Sequence, residues 1–286
     1  MKKKLHIAVQ KSGRLHDESL KLLNDCGISI DNDKDQLKAV ARNFPLEIFY
    51  LRNWDIPQYL RDGVVDIAII GENLLVEKGD DISIKEKLGF SKCRVSIAIP
   101  KEDAYKGIET LIGKKIATSY PNTVKGFLVE KGIDAELHII NGSVEIAPNI
   151  GLSDAVCDIV SSGSTLFKNN LKEVEVLFKS EAVLAASSTL DAEKNDILKK
   201  LQFRIQSVLK GRQSKYILMN VPNDSINRIS SILPVLKSPT VLPLAEPGWS
   251  SLHSVINEGK FWEVIDELKA AGAQDILVCP VEKMVL

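Results

Sequence analysis

The sequence predicts an α/β protein with two similar lobes and a small ferredoxin-like domain after them. Strand and helix signals alternate through the first half of the chain, which is typical of a largely parallel sheet. Residues 62–75 and 154–167 match each other without a gap at an offset of 92 positions. From residue 214 onwards the signals follow the order βαββαβ, which is the split-βαβ, ferredoxin-like pattern.

Short apolar runs in the first half predict six strands, at 5–9, 46–51, 66–71, 94–99, 113–117 and 137–140. Apolar spacing and the positions of Pro and Gly predict helices at 16–25, 54–62 and 121–131. Asp55 is a candidate N-cap of the second of these helices. The elements form two α/β lobes that face a cleft.

A longer amphipathic helix is predicted over 192–211, because Ile197, Leu201 and Ile205 recur at helical spacing. After it we expect strands at 216–221, 240–245, 251–255 and 276–281, with helices at 224–233 and 261–271. Asp224 is the candidate N-cap of the first of these two helices. We place a domain boundary between 213 and 214. Lobe I then covers about 1–95 and 185–213, lobe II covers about 96–184, and the last domain covers 214–286.

The composition and charge of the chain disfavour several classes of protein. The chain has 286 residues, of which 44% are hydrophobic and 26% are charged, as in a globular protein. A net charge of −1 disfavours a nucleic-acid binder, although a local basic site for a small phosphate stays open. The apolar runs are too short for a signal peptide or a membrane span, so we expect a cytoplasmic protein. Four widely spaced cysteines disfavour a zinc site and a disulfide framework.

The two matching segments predict equivalent pieces of structure. Asp62 pairs with Asp154, Asp66 with Asp158, and Gly71 with Gly163. In each copy a helix ends, an Asp starts a strand, and the strand runs to a Gly that opens the next helix.

The second copy differs from the first where its strand ends. Ile69 and Ile70 of the first copy are replaced by Ser161 and Ser162, and the following Gly163 leads to Ser164 and Thr165. Backbone N–H groups at such a strand-to-helix turn favour a phosphate, and hydroxyl groups add donors without charge. The alternative is a Ser/Thr-rich helix cap. Four hydroxyls around one Gly favour anion binding.

Three carboxylates, those of Glu145, Asp154 and Asp158, are expected to cluster beside this loop. Carboxylates near a phosphate suit ribose hydroxyls, or Mg²⁺ held through water. For Asp158 the favoured interpretation is structural, because Asp66 in the first copy has to start its strand in the same way. Glu145 and Asp154 are therefore the better functional candidates.

A basic turn follows the first strand, where ligands of open α/β sheets bind. Lys11 and Arg14 flank Gly13 there, and both can contact phosphate oxygens. The alternative is an ordinary solvated turn. Residues 118–122, which include Tyr120, form either a second anion site or a helix cap. The four histidines have no metal-ligand spacing, no nucleophilic triad stands out, and the Walker A pattern is absent.

Several motifs together resemble the long form of the ATP phosphoribosyltransferase family. They are QKSGRL at 10–15, DGVVDIAIIGENL at 62–74, ATSYPN at 117–122, NGSVEIAP at 141–148 and GLSDAVCDIVSSGSTL at 151–166. The tail also resembles the family, with SKYILMNVP at 214–222, SPTVLPL at 238–244, FWEVIDELKAAGA at 261–273 and ILVCPVEKM at 276–284. The resemblance covers nearly the whole chain.

The resemblance implies a periplasmic-binding-protein-like (type II) catalytic core and an ACT-like, ferredoxin-like regulatory domain. It implies ATP and 5-phosphoribosyl 1-diphosphate as substrates, Mg²⁺, feedback inhibition by histidine, and a homohexamer with a dimer as its smaller unit. No separate regulatory subunit is expected. N1 of adenine would displace diphosphate directly at the anomeric carbon, so that positioning and charge stabilisation replace a covalent nucleophile.

The resemblance also implies roles for particular residues. The donor's 5-phosphate would bind Asp158, Ser161, Ser162, Gly163, Ser164 and Thr165. The catalytic candidates are Glu145, Asp154, Lys11 and Arg14, and ATP or diphosphate would bind Lys11, Gly13, Arg14, Glu72 and Tyr120. For histidine, the candidates are the polar residues near the strand ends of the last domain, Asn220, Ser250, Ser251 and His253; the alternative is that they are only exposed polar residues. A solute-binding receptor of the same fold and a transcriptional effector module are the rival classes, and detection of phosphoribosylated ATP separates them from the enzyme.

Overall fold

The computed structural model describes residues 3–31, 36–79, 81–233 and 238–285. It consists of two compact units, one of residues 1–24 and 28–198 and the other of residues 25–27 and 199–286. The long helix near residue 200 belongs partly to each unit, so the domain boundary at 213/214 stays a prediction. No helix in the described part of the chain is long and apolar enough to cross a membrane.

The first unit contains two sheets, and its elements follow the predicted alternation of strands and helices. The elements up to residue 87 are β1 (Leu5–Gln10), α1 (Arg14–Asp25), β2 (Lys38–Val40), β3 (Leu46–Leu51), α2 (Ile56–Arg61), β4 (Ile67–Gly71), α3 (Glu72–Lys78) and β5 (Ser83–Lys87). The next are β6 (Cys93–Pro100), β7 (Lys115–Thr118), α4 (Pro121–Lys131), β8 (Glu136–Ile139), β9 (Ala155–Val160), α5 (Ser164–Lys168), β10 (Leu171–Ser180) and β11 (Ala182–Ala186). Helix α6 (Ala192–Arg212) follows.

The two sheets share one topology, which confirms the predicted pair of similar lobes. The sheet of lobe I has the order β2-β3-β1-β4-β11-β5, and that of lobe II has the order β10-β6-β9-β7-β8. In lobe I, β1 lies parallel to β3 and β4, and β11 is antiparallel to β4. In lobe II, β7 lies parallel to β8 and β9, and β6 is antiparallel to β9. Each lobe thus contains an antiparallel strand next to its parallel strands, β11 in lobe I and β6 in lobe II, as in the expected periplasmic-binding-protein-like core.

Four strands were not predicted, namely β2, β5, β10 and β11. Strand β5 (SIKEK) is mostly exposed and charged, and β10 contains two register shifts against β6. A charged edge strand or a bulged strand has no regular apolar alternation for a sequence pattern to detect. The central strand β4 was predicted because both of its faces are covered: Ile67, Ala68, Ile69 and Ile70 are fully buried. Strand β11 (AVLAA) is equally buried, and its short apolar run was missed.

The strand-starting aspartates correct the alignment of the two matching segments. Asp66 donates its N–H to His6 O, and its carboxylate accepts the N–H of His6, at 2.9 and 2.8 Å. Asp154 does the same with Lys115, at 2.8 Å for both hydrogen bonds. His6 lies in β1, one residue before the first residue that pairs with β4. Lys115 lies in β7, one residue before the first residue that pairs with β9. Asp154 is therefore the structural equivalent of Asp66.

The expectation that Asp158 starts its strand is wrong. The pattern Asp-x-x-x-Asp occurs in both copies, so Asp66 can be paired with either Asp154 or Asp158. The gap-free sequence match pairs Asp66 with Asp158, whereas the backbone hydrogen bonds pair Asp66 with Asp154. Strand β9 consequently has four more positions than β4 before its Gly, and Asp158 lies in the middle of it.

Helix α3 of lobe I contacts helix α4 of lobe II through a buried carboxylate. Glu77 is 4% exposed. It accepts the N–H groups of Asn122 and Thr123 and the hydroxyl of Thr123, at 2.8–3.1 Å. These donors lie in the first turn of α4, where an anion is favoured. A carboxylate of the chain itself, that of Glu77, thus caps this helix, whereas Tyr120 at the N-cap position makes no side-chain cap hydrogen bond.

The second unit has the predicted ferredoxin-like fold. Its elements after α6 are β12 (Ser214–Pro222), α7 (Ile226–Ile232), β13 (Thr240–Pro243), β14 (Trp249–Asn257), α8 (Glu258–Ala270) and β15 (Gln274–Pro280). The sheet order β13-β14-β12-β15, with every pair antiparallel, is that of a split βαβ unit. Asp55 occupies the predicted N-cap position of α2, but its side chain makes no cap hydrogen bond. The predicted cap at Asp224 is wrong, because Asp224 lies in the turn before α7 and Ser225 is the N-cap.

We expect Asp154→Asn to lower the free energy of unfolding at pH 7 by about 1 kcal/mol, the net contribution of a partly exposed charged hydrogen bond. The Lys115 N–H and the ammonium of Lys114 hold the pKa of Asp154 below its ordinary value of 3.8. The stabilisation is therefore present above about pH 4 and is lost as the pH falls through the lowered pKa.

Urea denaturation at pH 7 and pH 3 measures both effects. Asp62→Asn is the control, because the sequence pairs Asp62 with Asp154, yet Asp62 is an exposed residue at the end of α2. Equal changes for the two variants would contradict the structural equivalence of Asp154 and Asp66.

Candidate active site

The loop that follows β9 lines a cavity of about 250 Å³ in lobe II. Its polar lining is contributed by Glu145, Asp158, Ser161, Ser162, Gly163, Ser164 and Thr165. The structure therefore brings together seven of the residues that the sequence predicted for the donor site. We call residues 161–165 the hydroxyl loop.

The hydroxyl loop has an open backbone. Gly163 adopts φ +79° and ψ 0°, the left-handed conformation that favours glycine, and no atom lies within 4 Å of the position of a Cβ there. Ser162 and Ser164 share a hydrogen bond of 3.0 Å between their hydroxyls. Helix α5 has only five residues, so its dipole is small. The hydrogen-bond donors that the loop offers are therefore mainly its hydroxyl and backbone N–H groups, and the N-terminus of α5 contributes little.

Asp158 is a carboxylate on an otherwise apolar strand face. Val156 and Val160, two positions away on each side, are buried in the apolar cluster beneath the cavity. Burial, together with the nearby carboxylate of Glu145, raises the pKa of Asp158 to about 6, although the hydrogen bond from the Ile159 N–H at 2.7 Å lowers it. A carboxylate that is costly to ionise and faces a polar cavity is typical of a functional group.

Asp154 does not lie with Glu145 and Asp158. It precedes β9, whereas the hydroxyl loop follows it, and six strand residues at about 3.3 Å each place the two roughly 20 Å apart. Its carboxylate contacts the Lys115 N–H at 2.8 Å and Lys114 Nζ at 3.3 Å. The expected cluster of three carboxylates is therefore wrong for Asp154, which lies before the start of β9, whereas Asp158 lines the cavity with Glu145.

Basic residues reach the hydroxyl loop from lobe I. Arg14 Nη1 lies 3.4 Å from Ser161 Oγ, and Gly13 has φ +90° in the turn before it. The Lys11 side chain is exposed, and the Lys11 N–H donates to Leu51 O at the end of β3. Arg52 follows Leu51 directly and is also exposed. The parallel pairing of β1 and β3 thus places Lys11 and Arg52 at one edge.

Sequence reasoning missed Arg52, although the signal was available. Lys11 was a candidate because ligands of open α/β sheets bind beyond the carboxyl ends of the strands. The same argument applies to Arg52, which follows the strand at 46–51. Arg94 was also missed, and it had no such signal, because it lies at the beginning of β6 and acts through a contact distant in sequence.

Glu72 and Tyr120 do not line the cavity of the hydroxyl loop. Glu72 forms an ion pair with Lys87 at 3.2 Å. Tyr120 is 3% exposed, its hydroxyl accepts a hydrogen bond from Asn73 Nδ2 at 2.9 Å, and burial raises its pKa. Both residues belong to the contacts around α3, so the structure gives no support to their expected binding of ATP or diphosphate.

Three of the four histidine-site candidates share one face of the sheet in the second unit. Asn220, Ser251 and His253 alternate with the buried residues of β12 and β14. His253 contacts the Tyr216 hydroxyl through Nδ1 at 2.8 Å and the Ser251 hydroxyl through Nε2 at 2.9 Å. Ser250 is buried on the opposite face and donates to Asn223 Oδ1. Grouping Ser250 with the others is therefore wrong, because adjacent strand residues point to opposite faces.

The described residues contain no group of three or more His, Cys, Asp or Glu side chains that could hold a metal ion. The two carboxylates of the cavity, Glu145 and Asp158, fit a weaker mode of binding. A hydrated Mg²⁺ ion is usually held by one or two carboxylates together with the phosphates of the substrate.

Comparison with known proteins agrees with this geometry. The sequence model of the family "ATP phosphoribosyltransferase" matches residues 52–207, and that of its C-terminal domain matches residues 211–283. The ATP phosphoribosyltransferase of Cytophaga hutchinsonii is 56% identical over 281 residues, which is 98% of each chain. That of Phocaeicola vulgatus is 51% identical over 282 residues, 99% of this chain and all of the relative.

A solved structure also matches. It is an ATP phosphoribosyl transferase (HisG:HisZ) complex from Thermotoga maritima, and the matched chain is 28% identical with a TM-score of 0.60. The match covers 71% of this chain and 98% of that chain.

The two sets of findings lead to one conclusion. The family activity uses ATP and 5-phosphoribosyl 1-diphosphate, calls for a divalent metal, and in the long form needs no HisZ subunit. The chain belongs to the ATP phosphoribosyltransferase family, in its long form, and it transfers the phosphoribosyl group to N1 of ATP in the first step of histidine biosynthesis.

Proposed function

We propose that the hydroxyl loop binds the 5-phosphate of 5-phosphoribosyl 1-diphosphate. The observation that supports this most directly is the cavity that the loop lines together with Glu145 and Asp158. Four hydroxyls and the open backbone at Gly163 offer a phosphate hydrogen-bond donors at close range. A phosphate bound there directs the ribose towards the two carboxylates.

Asp158 and Glu145 then act on the ribosyl ring. As diphosphate leaves, positive charge develops at the anomeric carbon, and an ionised carboxylate nearby stabilises that charge. The same carboxylates accept hydrogen bonds from the ribose hydroxyls. N1 of neutral adenine carries no proton, so the transfer requires no base. The catalytic contribution of the chain is to hold the two substrates in line.

Lys11, Arg14 and Arg52 act on the phosphate chains. They lie on lobe I, and Arg14 already reaches the hydroxyl loop of lobe II. Their cationic groups reduce the repulsion between a triphosphate and a diphosphate brought close together. Mg²⁺ is the divalent metal of this proposal, with Glu145 or Asp158 contacting it through water. When bound, it neutralises charge on the departing diphosphate.

Regulation is assigned to the second unit. Histidine binds the face that Asn220, Ser251 and His253 share, and a homohexamer built from dimers carries the inhibition. All four cysteines are free, as is usual in the cytoplasm, where we place the enzyme. The domains are a catalytic core of 1–213 and a regulatory domain of 214–286. Because α6 from Lys199 onwards clusters with the second unit, point substitutions test the regulation better than truncation does.

Gly163→Ala tests the hydroxyl loop. The added methyl group enters the open space that the phosphate needs, so the KM for 5-phosphoribosyl 1-diphosphate should rise at least about tenfold, or 1.4 kcal/mol. Gly151→Ala is the matched control. Gly151 has a similar φ of +72°, no atom near its Cβ position, and no place in the cavity. Both variants lose stability through strain at positive φ. A donor KM that changes equally in both would contradict the phosphate assignment.

Asp158→Asn should lower kcat while making the protein more stable at pH 8. The pKa of about 6 in the folded protein exceeds that of the unfolded chain, so ionised Asp158 costs up to about 3 kcal/mol above pH 6. That cost falls to about half at pH 5 and disappears only below the pKa of about 3.9 of the unfolded chain, so the thermal midpoints of variant and wild type should converge near pH 4. The wild-type kcat/KM should fall over the same range. Asp154→Asn, which destabilises, is the control; a destabilised Asp158→Asn variant would refute this assignment.

Ser251→Ala should raise the histidine concentration for half-inhibition at least fivefold, since a lost hydrogen bond to the ligand is worth about 1 kcal/mol. Ser250→Ala, on the opposite face of the same strand, should change it less than twofold. The measurement is the ratio of activities with and without histidine. The reverse ranking of the two variants would exclude this face as the effector site.

A further inference from the structure

Arg94 connects the hydroxyl loop to a neighbouring strand. Its guanidinium donates through Nε and Nη2 to both carboxylate oxygens of Glu173, each at 2.5 Å. The remaining nitrogen, Nη1, donates to the carbonyl oxygen of Ser161 at 3.1 Å. Arg94 begins β6 opposite Val160, the last residue of β9, and Glu173 lies on β10. One side chain thus links three strands at the point where the loop starts.

The contact with the Ser161 carbonyl determines how the loop presents its donors. In a trans peptide the carbonyl oxygen and the following N–H point in opposite directions. Because Arg94 draws the Ser161 oxygen to its own side, the N–H of Ser162 points away from Arg94. Ser162 and Gly163 line the cavity. A fixed Ser161 carbonyl therefore helps to hold an N–H group in the direction that a phosphate requires.

Glu173 orients Arg94. The two side chains are 30% and 24% exposed, and the hydrogen bond to Glu173 is the largest influence that raises the pKa of Arg94. The register of β10 against β6 shifts directly after Glu173, and such an irregularity re-aims the side chains around it. With two of its nitrogens on Glu173, Arg94 has one edge left, and that edge contacts Ser161.

We propose that Arg94, oriented by Glu173, is a positioning residue for the donor: it acts on 5-phosphoribosyl 1-diphosphate through the shape of the hydroxyl loop and does not bind the donor itself. The inference rests on the proposed phosphate site in that loop. It adds two residues that lie outside the cavity lining.

Direct binding of the phosphate by Arg94 and positioning of the loop by Arg94 predict opposite effects when the charge of Glu173 is removed. If Arg94 bound the phosphate itself, removing the Glu173 charge would free the guanidinium, and donor binding would stay the same or improve. If Arg94 acts through the loop, removing that charge loosens the loop, and donor binding weakens. Glu173→Gln therefore distinguishes the two roles.

The experiment compares Arg94→Lys and Glu173→Gln with Arg61→Lys in the full-length enzyme. Arg61 is a suitable control because it makes similar contacts in lobe I, away from the hydroxyl loop: its Nε donates to both carboxylate oxygens of Asp81, and its Nη2 donates to the Lys78 carbonyl oxygen at 2.6 Å. A Lys retains the charge and loses the fork. Steady-state KM values for both substrates, kcat, and hydrogen–deuterium exchange of the peptide amides at 161–165 are measured.

We expect Arg94→Lys to raise the donor KM about tenfold and Glu173→Gln to raise it at least threefold, with the ATP KM changed less than twofold. Exchange at 161–165 should become faster in both variants. Arg61→Lys should change neither quantity. An unchanged or lower donor KM in Glu173→Gln, unchanged loop exchange, or an equal effect of Arg61→Lys would each overturn the proposal.

The failure of this proposal differs from the failure of the phosphate site. If Gly163→Ala also leaves the donor KM unchanged, the hydroxyl loop is not the phosphate site, and both proposals fall. If Gly163→Ala raises the donor KM while Glu173→Gln does not, the phosphate site stands and only the positioning role is refuted.

Discussion

Two hydrogen bonds between Asp154 and the backbone of Lys115 set the register of β9 against β7. Asp66 makes the same pair with His6 in the other lobe. From this common start β4 reaches its Gly after five residues, and β9 reaches its Gly after nine. The longer distance places Asp158 within β9 and two serines directly after it, where β4 has only aliphatic residues. The position of the proposed donor site in lobe II therefore depends on Asp154, which lies before the opposite end of the same strand.

Three carboxylates, those of Glu77, Asp154 and Asp158, differ in how far neighbouring donors compensate their charge. Glu77 accepts three hydrogen bonds from the first turn of α4, so its burial is compensated and it joins the lobes. Asp154 is partly exposed and has both a backbone donor and an ammonium group. Among the described residues, Asp158 accepts one hydrogen bond, from the adjacent Ile159 N–H. A buried carboxylate with so few donors is costly unless a ligand completes its environment.

The division of charge between the lobes suits a reaction that joins two polyanions. Lobe I presents Lys11, Arg14 and Arg52 at the ends of two parallel strands, and lobe II presents neutral hydroxyls and two carboxylates. Phosphate chains favour the first surface, and a ribosyl ring that develops positive charge favours the second. Arg14 contacts Ser161, and Glu77 connects α3 to α4, so contacts within the same unit set the separation of the two surfaces.

The sequence by itself determined the two lobes, the ferredoxin-like domain and the hydroxyl loop. These features are local: apolar strands between Gly and Pro signals, and four hydroxyls around one Gly, are visible in a short window of residues. Only the tertiary structure decided which aspartate precedes the strand and which lines the cavity, because a repeat of Asp-x-x-x-Asp can be paired in two ways and the choice depends on a hydrogen bond to a strand about 40 residues away in sequence. The same holds for Ser250, for the carboxylate that caps α4, and for Arg94, whose partners Ser161 and Glu173 are distant in the chain. Composition and spacing report what one segment can do, whereas long-range pairing decides which residues meet.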